Sequence, residues 1–384
     1  MECTWQGVSM ARSGKTGETD DTETERLLMC IEKKEHWVIF VHDNPDPDAF
    51  VSALCFKKLV ESAGKKATIA GRGEIGFEEN ALLLEHLKKE GLEIEMHPPG
   101  WTATEQSVDE ETGTKTGACG KALLDTGTPG VYNPLPAGTK VDVVIDHHPM
   151  RAAQIAEPCF YEVRPEKSST SLILYEHMVS AGMRIGKEIT SLMAAGIYYA
   201  TMVDTHNFRT LHEEDSHPLS EIFRAADKRV LSELQSPPLD VDTLDILGRA
   251  IQNREITGGV SFSCVDYVTR RDPLARAAEF LLRQKSVHTS VVVGIVGDRV
   301  CVTSRTTDPS IDLGDVMIRA FGEIGVAGGH AHSGGAEIPL SLLSYAVGED
   351  ERRGVVAIVK RAVRDRFFET AGFLDDERIS RRDE

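Results

Sequence analysis

The sequence predicts a two-domain α/β protein, with a parallel sheet covered by helices in the first domain and a smaller α/β domain after it. Two observations support this class. Short apolar runs rich in β-forming residues alternate with amphipathic stretches of helical length, which is the pattern of a parallel sheet with helices on both faces. The chain of 384 residues is also too long for one typical core and suits two domains plus tails.

The first domain is expected at residues 35–210, after a disordered tail at 1–34 whose end could form a short helix. Its predicted elements alternate along the chain: strands at 37–42, 68–70, 93–97, 121–125 and 141–146, and helices at 49–62, 76–90, 168–182 and 188–203. A stretch at 98–120 is rich in Gly, Thr and acidic residues and is expected to be an inserted loop.

A helical connector is expected at 211–257, with the second domain at 258–345 and a C-terminal helix and tail at 346–384. The second domain has these predicted elements: a strand at 260–268, a helix at 273–284, a hairpin of 290–296 with 299–304, a helix at 311–321 and a glycine-rich stretch at 328–335. The connector could act as a hinge between the two domains.

The net charge of −18 limits the partners that the protein can attract. A surface this acidic repels a long polyanion, so an anionic substrate needs a local attractor such as bound divalent cations. We therefore expect a small or short phosphorylated substrate rather than a long duplex. Adaptation to a salty cytoplasm would also explain the acidity, and the sequence leaves both explanations open.

The seven cysteines are scattered singly and include no C-x-x-C pair, which argues against a disulfide framework and a zinc cage. Most are expected to be buried as small hydrophobic residues. No apolar stretch approaches the roughly 20 residues needed to span a bilayer, and the N-terminus has no apolar signal core. The sequence therefore predicts a cytoplasmic protein with no membrane partner.

The strongest local pattern is His42-Asp-Asn-Pro-Asp46-Pro-Asp48, directly after a predicted buried strand. Pro45 and Pro47 oppose a helix and favour an extended chain, in which residues two apart point the same way. Asp46 and Asp48 would then present adjacent carboxylates, with His42 nearby. This arrangement could serve two metal ions about 3.5–4 Å apart. The alternative is a turn in which Asp48 only caps the following helix.

Three further segments place polar residues where predicted strands or helices end. Asp146, His147 and His148 follow an apolar strand, and Asp125 ends another strand before Thr-Gly. Asp204 lies at the end of a predicted helix. Carboxylate and imidazole groups are good ligands for Mn, Fe, Co or Zn, and ligands of parallel sheets bind beyond the carboxyl ends of the strands. Each residue alone is also compatible with a turn or a helix end.

Taken together, these segments resemble the DHH phosphoesterase superfamily. Residues 168–176 are similar to the helix start that follows the DHH motif there, and Gly328-Gly-His330 with Ser333-Gly-Gly-Ala336 is similar to the glycine-rich signature of the DHH-associated substrate-binding domain. The resemblance extends over roughly residues 36–340. The insert at 98–120 and the long tails depart from the family pattern.

The resemblance implies two divalent metal ions, and manganese is favoured because carboxylate-rich sites with few nitrogens suit it. It assigns six ligands in this sequence: His42 and Asp46 to one ion, Asp48, His147 and Asp204 to the other, and Asp125 to both. His148 would contact the scissile phosphate, while Asp146 would orient the imidazoles. A hydroxide activated by the two metals would attack phosphorus in line.

In the second domain, the resemblance implies a substrate-binding element. Gly328 and Gly329 would bring backbone N–H groups close to a terminal phosphate or base, and His330 would donate a hydrogen bond. Arg305 is placed to pair with a phosphate oxygen. The simpler alternatives are a flexible turn for the glycine-rich stretch and a solvated strand-end charge for Arg305.

The motif Asn-Pro-Asp-Pro-Asp-Ala resembles that of the family branch that contains nano-RNases and phosphatases of 3′-phosphoadenosine 5′-phosphate. The exonuclease branch usually has glycine at the position of Ala49. The expected function is hydrolysis of phosphate esters in short single-stranded oligoribonucleotides or small phosphorylated nucleotides. Two alternatives stay open: an inorganic pyrophosphatase-like hydrolase and a non-catalytic nucleotide sensor. A homodimer is one expectation for the oligomeric state.

Overall fold

The protein is described here by a computed structural model, at residues 17–103, 119–130, 132–148, 158–342 and 352–372. The chain divides into two compact units, Met1–Pro237 and Pro238–Glu384, called the first and the second unit below. Among the described helices, none combines the length and the apolar composition that crossing a bilayer requires.

The first unit contains a six-stranded sheet in which every pairing between neighbouring strands is parallel. Its strands are β1 (His36–Phe40), β2 (Lys66–Arg72), β3 (Ile94–His97), β4 (Gly120–Leu124), β5 (Val143–Asp146) and β6 (Phe160–Val163). Their order in the sheet is β3-β2-β1-β4-β5-β6. The predicted parallel sheet is confirmed, and β6 is a further edge strand that the sequence did not reveal.

Seven described helices belong to the first unit: α1 (Gly17–Ile31), α2 (Pro47–Ser62), α3 (Glu78–Leu87), α4 (Thr170–Ser180), α5 (Ser191–Asp204), α6 (Ser216–Ala225) and α7 (Lys228–Gln235). Alternate residues of β1 point to opposite faces of the sheet. Trp37 and Ile39 enter the large core that contains α2, α4 and α5, while Val38 and Phe40 enter a smaller cluster with Leu123. The sheet is therefore buried on both faces, as its continuous apolar strands require.

Helix α1 lies within the segment that was expected to be a disordered tail. Leu27 and Ile31 at its end are completely buried in the first core, so the helix packs on the domain. Cys30 of α1 also forms a disulfide with Cys159, with Cα atoms 6.0 Å apart. The expectation of unpaired cysteines is wrong for this pair, whereas the four described free cysteines are buried. Residues 1–16 of the expected tail lie outside the described residues.

The second unit has a mixed six-stranded sheet, with order β11-β12-β10-β9-β8-β7. Its elements are α8 (Val241–Gln252), β7 (Glu255–Thr257), β8 (Val260–Val268), α9 (Asp272–Leu281), β9 (Thr289–Val296), β10 (Arg299–Thr306), α10 (Leu313–Phe321), β11 (Val326–His330), β12 (Ser333–Pro339) and α11 (Arg352–Thr370). Among the described strands of this second sheet, only β8 and β9 pair in parallel. The helix α11 buries Phe367 and Phe368 in the core of this unit.

Two predicted segments take a different form in the structure. The region expected as a helical connector is helical, but α6 and α7 belong to the first unit and α8 to the second, with the division at Pro237 and Pro238. The glycine-rich stretch forms the antiparallel hairpin of β11 and β12. Most of the expected insert, at 104–118, and the C-terminal residues 373–384 lie outside the described residues.

Candidate metal centre

The strand order of the first sheet creates a crevice at the carboxyl ends of β1 and β4. From these two central neighbours the chain proceeds outwards in opposite directions, through β2 and β3 on one side and β5 and β6 on the other. Loops that leave neighbouring strands in opposite directions open a ligand crevice between them. His42 lies two residues beyond β1, and Asp125 directly follows β4. The sequence-predicted residues therefore begin at the switch point of the sheet.

His42, Asp46 and Asp125 form a first group whose potential ligand atoms lie within 4.8 Å of one another. Nε2 of His42 is 3.6 Å from Oδ1 of Asp46 and 3.5 Å from Oδ2 of Asp125. Its Nδ1 lies 3.0 Å from the backbone carbonyl oxygen of Asp43. Because a carbonyl only accepts, Nδ1 carries the proton, and in the neutral ring the lone pair of Nε2 faces the carboxylates.

Asp46 and Asp48 play different structural parts from those expected. Asp46 is the N-cap of α2, where its Oδ1 accepts hydrogen bonds from the backbone N–H groups of Asp48 and Ala49 at 3.0 and 3.1 Å. Pro47 is the first residue of α2, a position that proline tolerates because its missing N–H needs no partner there. The extended geometry predicted for this segment is wrong at Asp48, which lies in the first helical turn. The alternative in which Asp48 is the cap is also wrong.

Asp48, His147 and Asp204 form a second group with potential ligand atoms within 4.8 Å. Nε2 of His147 is 3.7 Å from Oδ2 of Asp204, and its Nδ1 is 3.3 Å from the backbone carbonyl oxygen of Lys167. Because the carbonyl of Lys167 only accepts, Nδ1 of His147 carries the proton, as in His42. Asp204 ends α5, and its buried Oδ2 accepts no hydrogen bond from the described residues. A buried carboxylate oxygen without a donor is costly unless a cation contacts it.

Asp125 lies between the two groups. Its Oδ2 faces His42, while its Oδ1 is 3.7 Å from Nε2 of His147. The residue is 3% exposed and has a left-handed backbone with φ of 56°, a conformation that aspartate tolerates better than most residues. Its backbone N–H donates to the carbonyl of Ile145 on β5. One carboxylate thus presents a different oxygen to each group.

His148 lies beside Asp125 and is held by Asp146. Nδ1 of His148 is 2.9 Å from Oδ1 of Asp146, which also accepts the backbone N–H of His148 at 3.0 Å. Asp146 is completely buried at the end of β5, whereas the His148 side chain is 41% exposed. Nδ1 of His148 is also 3.7 Å from Oδ1 of Asp125. Within the described part of the structure, Asp146 contacts the His148 ring, whereas the hydrogen-bond partners of Nδ1 in His42 and His147 are backbone carbonyls.

The carboxylates raise one another's pKa values. Burial, followed by the charge of Asp48, raises the pKa of Asp125 to about 6. Burial and the charges of the other three carboxylates raise the pKa of Asp204 well above its usual range, and burial raises the pKa of Asp48. Like charges that are buried together disfavour ionisation. Divalent cations would offset this repulsion, and the set of carboxylates with neutral imidazoles fits such ions.

The three imidazoles differ in their pKa values. Burial lowers the pKa of His147. Burial also lowers the pKa values of His42 and His148, but hydrogen bonds to carboxylates and the carboxylate charges have a larger, opposite effect. The net result is a pKa well above the usual range for His42 and a pKa of about 9 for His148. The hydrogen bond and charge of His42 in turn hold the pKa of Asp46 below its usual range despite burial. The ring of His148 is therefore a cation at neutral pH, beside the carboxylates.

The predicted substrate-binding residues all lie in the second unit. Arg305 is a half-buried residue of β10, and its Nη1 donates to the carbonyl of Ser304 at 2.9 Å. Burial lowers the pKa of its guanidinium, and no ion pair of Arg305 occurs among the described residues. Gly328 and Gly329 lie in β11, opposite Gly335 and Gly334. The side chain of His330 lies outside the described part of the structure.

Gly329 has a structural reason to be glycine. Its φ is 149°, and a Cβ atom there would lie 2.2 Å from the backbone oxygen of Ser333. The hairpin of β11 and β12 therefore excludes any side chain at this position. Close approach of a ligand is not needed to explain the glycine, so the substrate-binding role of Gly328, Gly329 and His330 stays a prediction.

Sequence reasoning missed the groups that hold the acidic residues in place. The backbone N–H groups of Thr170 and Ser171 both donate to Asp48, and the Thr170 hydroxyl donates to Asp125. The guanidinium of Arg72 forms a bidentate ion pair with the carboxylate of Asp43, the residue that follows His42. The similarity of residues 168–176 to a family motif pointed to this region, but no local pattern indicated which distant carboxylates these residues contact.

Comparisons with known proteins agree with this architecture. The family model for the DHH family, N-terminal domain, matches residues 36–197, and the DHHA1 domain matches residues 258–365. The crystal structure of an exopolyphosphatase-related protein from Bacteroides fragilis superposes with a TM-score of 0.61 at 15% identity, over 91% of this chain and 97% of that one. The two matched domains, in this order along the chain, define a protein of the DHH class. The chain belongs to the DHH phosphoesterase superfamily, as the sequence predicted.

Curated relatives match over different lengths. An uncharacterized protein of Methanocaldococcus jannaschii is 30% identical over 350 residues, which are 90% of this chain and 66% of that protein. A probable manganese-dependent inorganic pyrophosphatase of Bacillus cereus is 28% identical over 163 residues, which are 42% of this chain and 47% of that protein. The chain thus spans about two thirds of the first relative and about half of the second.

Proposed function

We propose that the protein is a metal-dependent phosphoesterase that hydrolyses phosphate esters of short oligoribonucleotides or phosphoadenosine nucleotides. The observation that carries this proposal is the arrangement of six candidate ligands in two groups that share Asp125. A pair of metal sites joined by one carboxylate is suited to displacement at phosphorus, where both the attacking and the leaving oxygen need stabilisation.

The residues that would hold the metals are His42, Asp46 and Asp125 on one side and Asp48, His147 and Asp204 on the other, and Asp125, whose Oδ1 lies 3.7 Å from Nε2 of His147, would contribute to both. Divalent cations bound there would lower the pKa of a coordinated water and neutralise phosphoryl oxygens. Manganese is the favoured ion because the set is dominated by carboxylates, and the Bacillus cereus relative is described as manganese-dependent.

His148 would bind the substrate phosphate. The hydrogen bond from Nδ1 to the buried Asp146 carboxylate favours the imidazolium form, in which Nε2 is a second donor. A cationic donor on a half-exposed ring can reach a phosphoryl oxygen and stabilise the charge that develops on it. Asp146 would keep this ring in the same orientation throughout the reaction.

In the second unit, Arg305 would bind a phosphate of the substrate other than the one that reacts, such as its terminal phosphate. A guanidinium matches the geometry of phosphate oxygens, and Arg305 forms no ion pair among the described residues, although the charge of Glu279 acts on it. The hairpin of β11 and β12 would bring its backbone N–H groups to the substrate. A site for nucleotides fits the acidic chain better than a site for long nucleic acid, because the net charge of −18 repels a polyanion.

An inorganic pyrophosphatase is the second candidate, favoured by the Bacillus cereus relative. That match extends over 42% of the chain, which is shorter than the two domain matches together. Pyrophosphate has two phosphates and no base, and its binding would require a cluster of basic side chains in the second unit. A nucleotide sensor without activity is the third candidate, and it would need the same metals and the same Arg305.

The test is hydrolysis by the purified protein with Mn²⁺ of three substrates: a 5′-phosphorylated diribonucleotide, 3′-phosphoadenosine 5′-phosphate and pyrophosphate. The blank is Asp125→Asn, and the matched control is Asp227→Asn, the same change at the N-cap of α7. We expect turnover of at least one nucleotide by the wild type and the control but not by the blank. Turnover of pyrophosphate alone would contradict the proposal in favour of a pyrophosphatase. Tight nucleotide binding without any turnover would instead support a sensor.

A further inference from the structure

Residues 167–171, between β6 and the first turn of α4, contact three of the six candidate ligands. The backbone carbonyl of Lys167 lies 3.3 Å from Nδ1 of His147. The backbone N–H groups of Thr170 and Ser171 donate to the two oxygens of Asp48, at 2.6 and 3.0 Å. The start of one helix therefore holds residues that are far away in the sequence and belong to different loops.

The side chain of Thr170 makes the contact that links the two ligand groups. Its hydroxyl donates to Oδ1 of Asp125 at 2.9 Å, and the residue is completely buried. This is the oxygen that faces His147, while the other oxygen faces His42. A carboxylate can rotate about its bond to Cβ, and the hydroxyl removes that freedom. Thr170 thus fixes the plane of the Asp125 carboxylate, so that one oxygen faces each group.

Thr170 is itself held rigidly. Ser169 is the N-cap of α4, and its hydroxyl is bonded to the hydroxyl of Thr201 at 2.9 Å. The backbone N–H of Ser168 donates to Oδ2 of Asp215 at 2.8 Å, and the Lys167 ammonium pairs with Oδ1 of the same buried carboxylate at 3.0 Å. Because the segment is fixed on both sides of Thr170, it can impose a geometry on the carboxylates.

Helix formation alone does not account for Thr170. Ser169 already provides the side-chain cap, by accepting the N–H of Leu172 at 3.3 Å. A β-branched residue in the first turn of a helix has no advantage in helix propensity. Its hydroxyl is directed at a carboxylate 45 residues away in the sequence rather than at its own helix.

We propose that Thr170 is a positioning residue of the metal centre, whose hydroxyl orients Asp125 while its backbone N–H orients Asp48, one carboxylate for each ligand group. This inference rests on the proposed metal centre of the phosphoesterase. Partners that orient metal ligands typically change metal affinity by about 10- to 100-fold when they are removed. The role of Thr170 is therefore measurable by metal binding without any substrate.

The test measures Mn²⁺ binding to the full chain by isothermal titration calorimetry, with three variants. Thr170→Val removes the hydroxyl and keeps the shape, Thr170→Ser keeps the hydroxyl, and Thr289→Val makes the same change at a buried threonine of β9, in the second unit, whose hydroxyl contacts that of Thr306. We expect Thr170→Val to weaken Mn²⁺ binding roughly 10- to 100-fold. We expect Thr170→Ser and Thr289→Val to stay within about threefold of the wild type, because both leave the Asp125 contact and the supports of Thr170 in place.

Wild-type Mn²⁺ affinity in Thr170→Val would overturn the proposal, as would a Thr170→Ser variant that binds as weakly as Thr170→Val. If Thr170→Val does not fold, Thr170→Ser and Thr170→Ala provide the same comparison, because they differ only by the hydroxyl group. Absence of Mn²⁺ binding in the wild type would overturn both the positioning role of Thr170 and the proposed metal centre. Two bound Mn²⁺ ions without turnover of any substrate would contradict the proposed enzyme but not the role of Thr170.

Discussion

The two units differ in the sign of the charge that they leave uncompensated. In the first unit, four carboxylates gather in a crevice, with Asp48 and Asp125 almost completely buried, and burial together with mutual repulsion raises the pKa values of Asp48, Asp125 and Asp204. In the second unit, the half-buried Arg305 has no carboxylate partner among the described residues, and its pKa is lowered by burial. Buried charges of either sign are costly unless a partner is bound. The difference indicates a cation for the first unit and an anion for the second.

This comparison separates what the two units contribute to a phosphoesterase. The first unit would hold the metals and the attacked phosphorus, and its residues control the rate of the chemical step. The second unit would hold a remote phosphate, and its residues control binding. Changes in the first unit should therefore lower kcat, whereas changes in the second should raise KM.

The largest effect is expected for Asp125→Asn. The amide keeps the shape but lacks the charge that both ligand groups share, so we expect kcat for the best nucleotide substrate to fall by roughly a thousandfold or more. Steady-state kinetics with Mn²⁺ checks this, with Asp227→Asn as the control. A variant that keeps more than about a tenth of the activity would show that Asp125 is not shared by two metals.

Mn²⁺ should stabilise the first unit selectively. At a concentration of about 100 times Kd, binding adds about 2.7 kcal/mol to the free energy of unfolding. For a unit of 237 residues this raises the melting temperature by roughly 5–10 °C. Scanning calorimetry, assigned to the units by limited proteolysis, should show the shift in the first unit only and lose it in Asp125→Asn. An equal shift of both units would contradict the assignment of the metals.

Arg305→Met should affect binding and leave folding intact. We expect KM for a nucleotide substrate to rise about 10- to 150-fold with little change in kcat, because one charge-assisted hydrogen bond to phosphate contributes roughly 1.5–3 kcal/mol. The melting temperature of the second unit should not fall, because the variant removes a half-buried charge without a counter-ion. Arg299→Met, at the exposed start of the same strand, is the control. A fall in kcat with unchanged KM would place Arg305 in the chemical step instead.

The smallest effect concerns the pH dependence of stability in the metal-free protein. The folded pKa of Asp125, about 6, exceeds the unfolded value of about 3.9, so this group destabilises the fold progressively from about pH 4 to pH 6. The folded pKa of His148, about 9, exceeds the unfolded value of about 6.5, so its contribution is complete below pH 6.5 and is lost as the pH rises through about 9.

The melting temperature of the first unit in EDTA should therefore fall by a few degrees between pH 5 and pH 9. In Asp125→Asn, the decrease that occurs below about pH 6.5 should be smaller than in the wild type. Mn²⁺ should weaken this dependence, because bound cations keep the carboxylates ionised. The account would be contradicted by metal-free protein that becomes more stable over this range.

The strands that position the centre could be predicted because each is a run of apolar residues that ends at a polar residue. This pattern marks β1 before His42, β4 before Asp125 and β5 at Asp146. The other candidate ligands came from the segment after β1, from the end of a predicted helix and from the resemblance to the DHH superfamily, and the structure brings all six together, although their role as ligands stays a prediction. The edge strand β6 was missed because Phe160–Val163 is short and only half apolar.

Other features could not be predicted because they depend on contacts between distant segments. The disulfide of Cys30 with Cys159 joins residues 129 positions apart, so no spacing motif indicates it. Asp48 was assigned an extended backbone because proline usually opposes a helix, whereas Pro47 occupies the one helical position where proline is favoured. The donors to Asp48 and Asp125 at the start of α4 appear only when the fold brings them together.

The most direct test of the central claim is a crystal structure of the protein grown with Mn²⁺, with anomalous scattering measured at the manganese edge. The account predicts two anomalous peaks per chain in the crevice of the first sheet, one coordinated by His42 and Asp46, the other by Asp48, His147 and Asp204, and both by Asp125. A single peak, or peaks that do not contact Asp125, would contradict the shared-carboxylate centre.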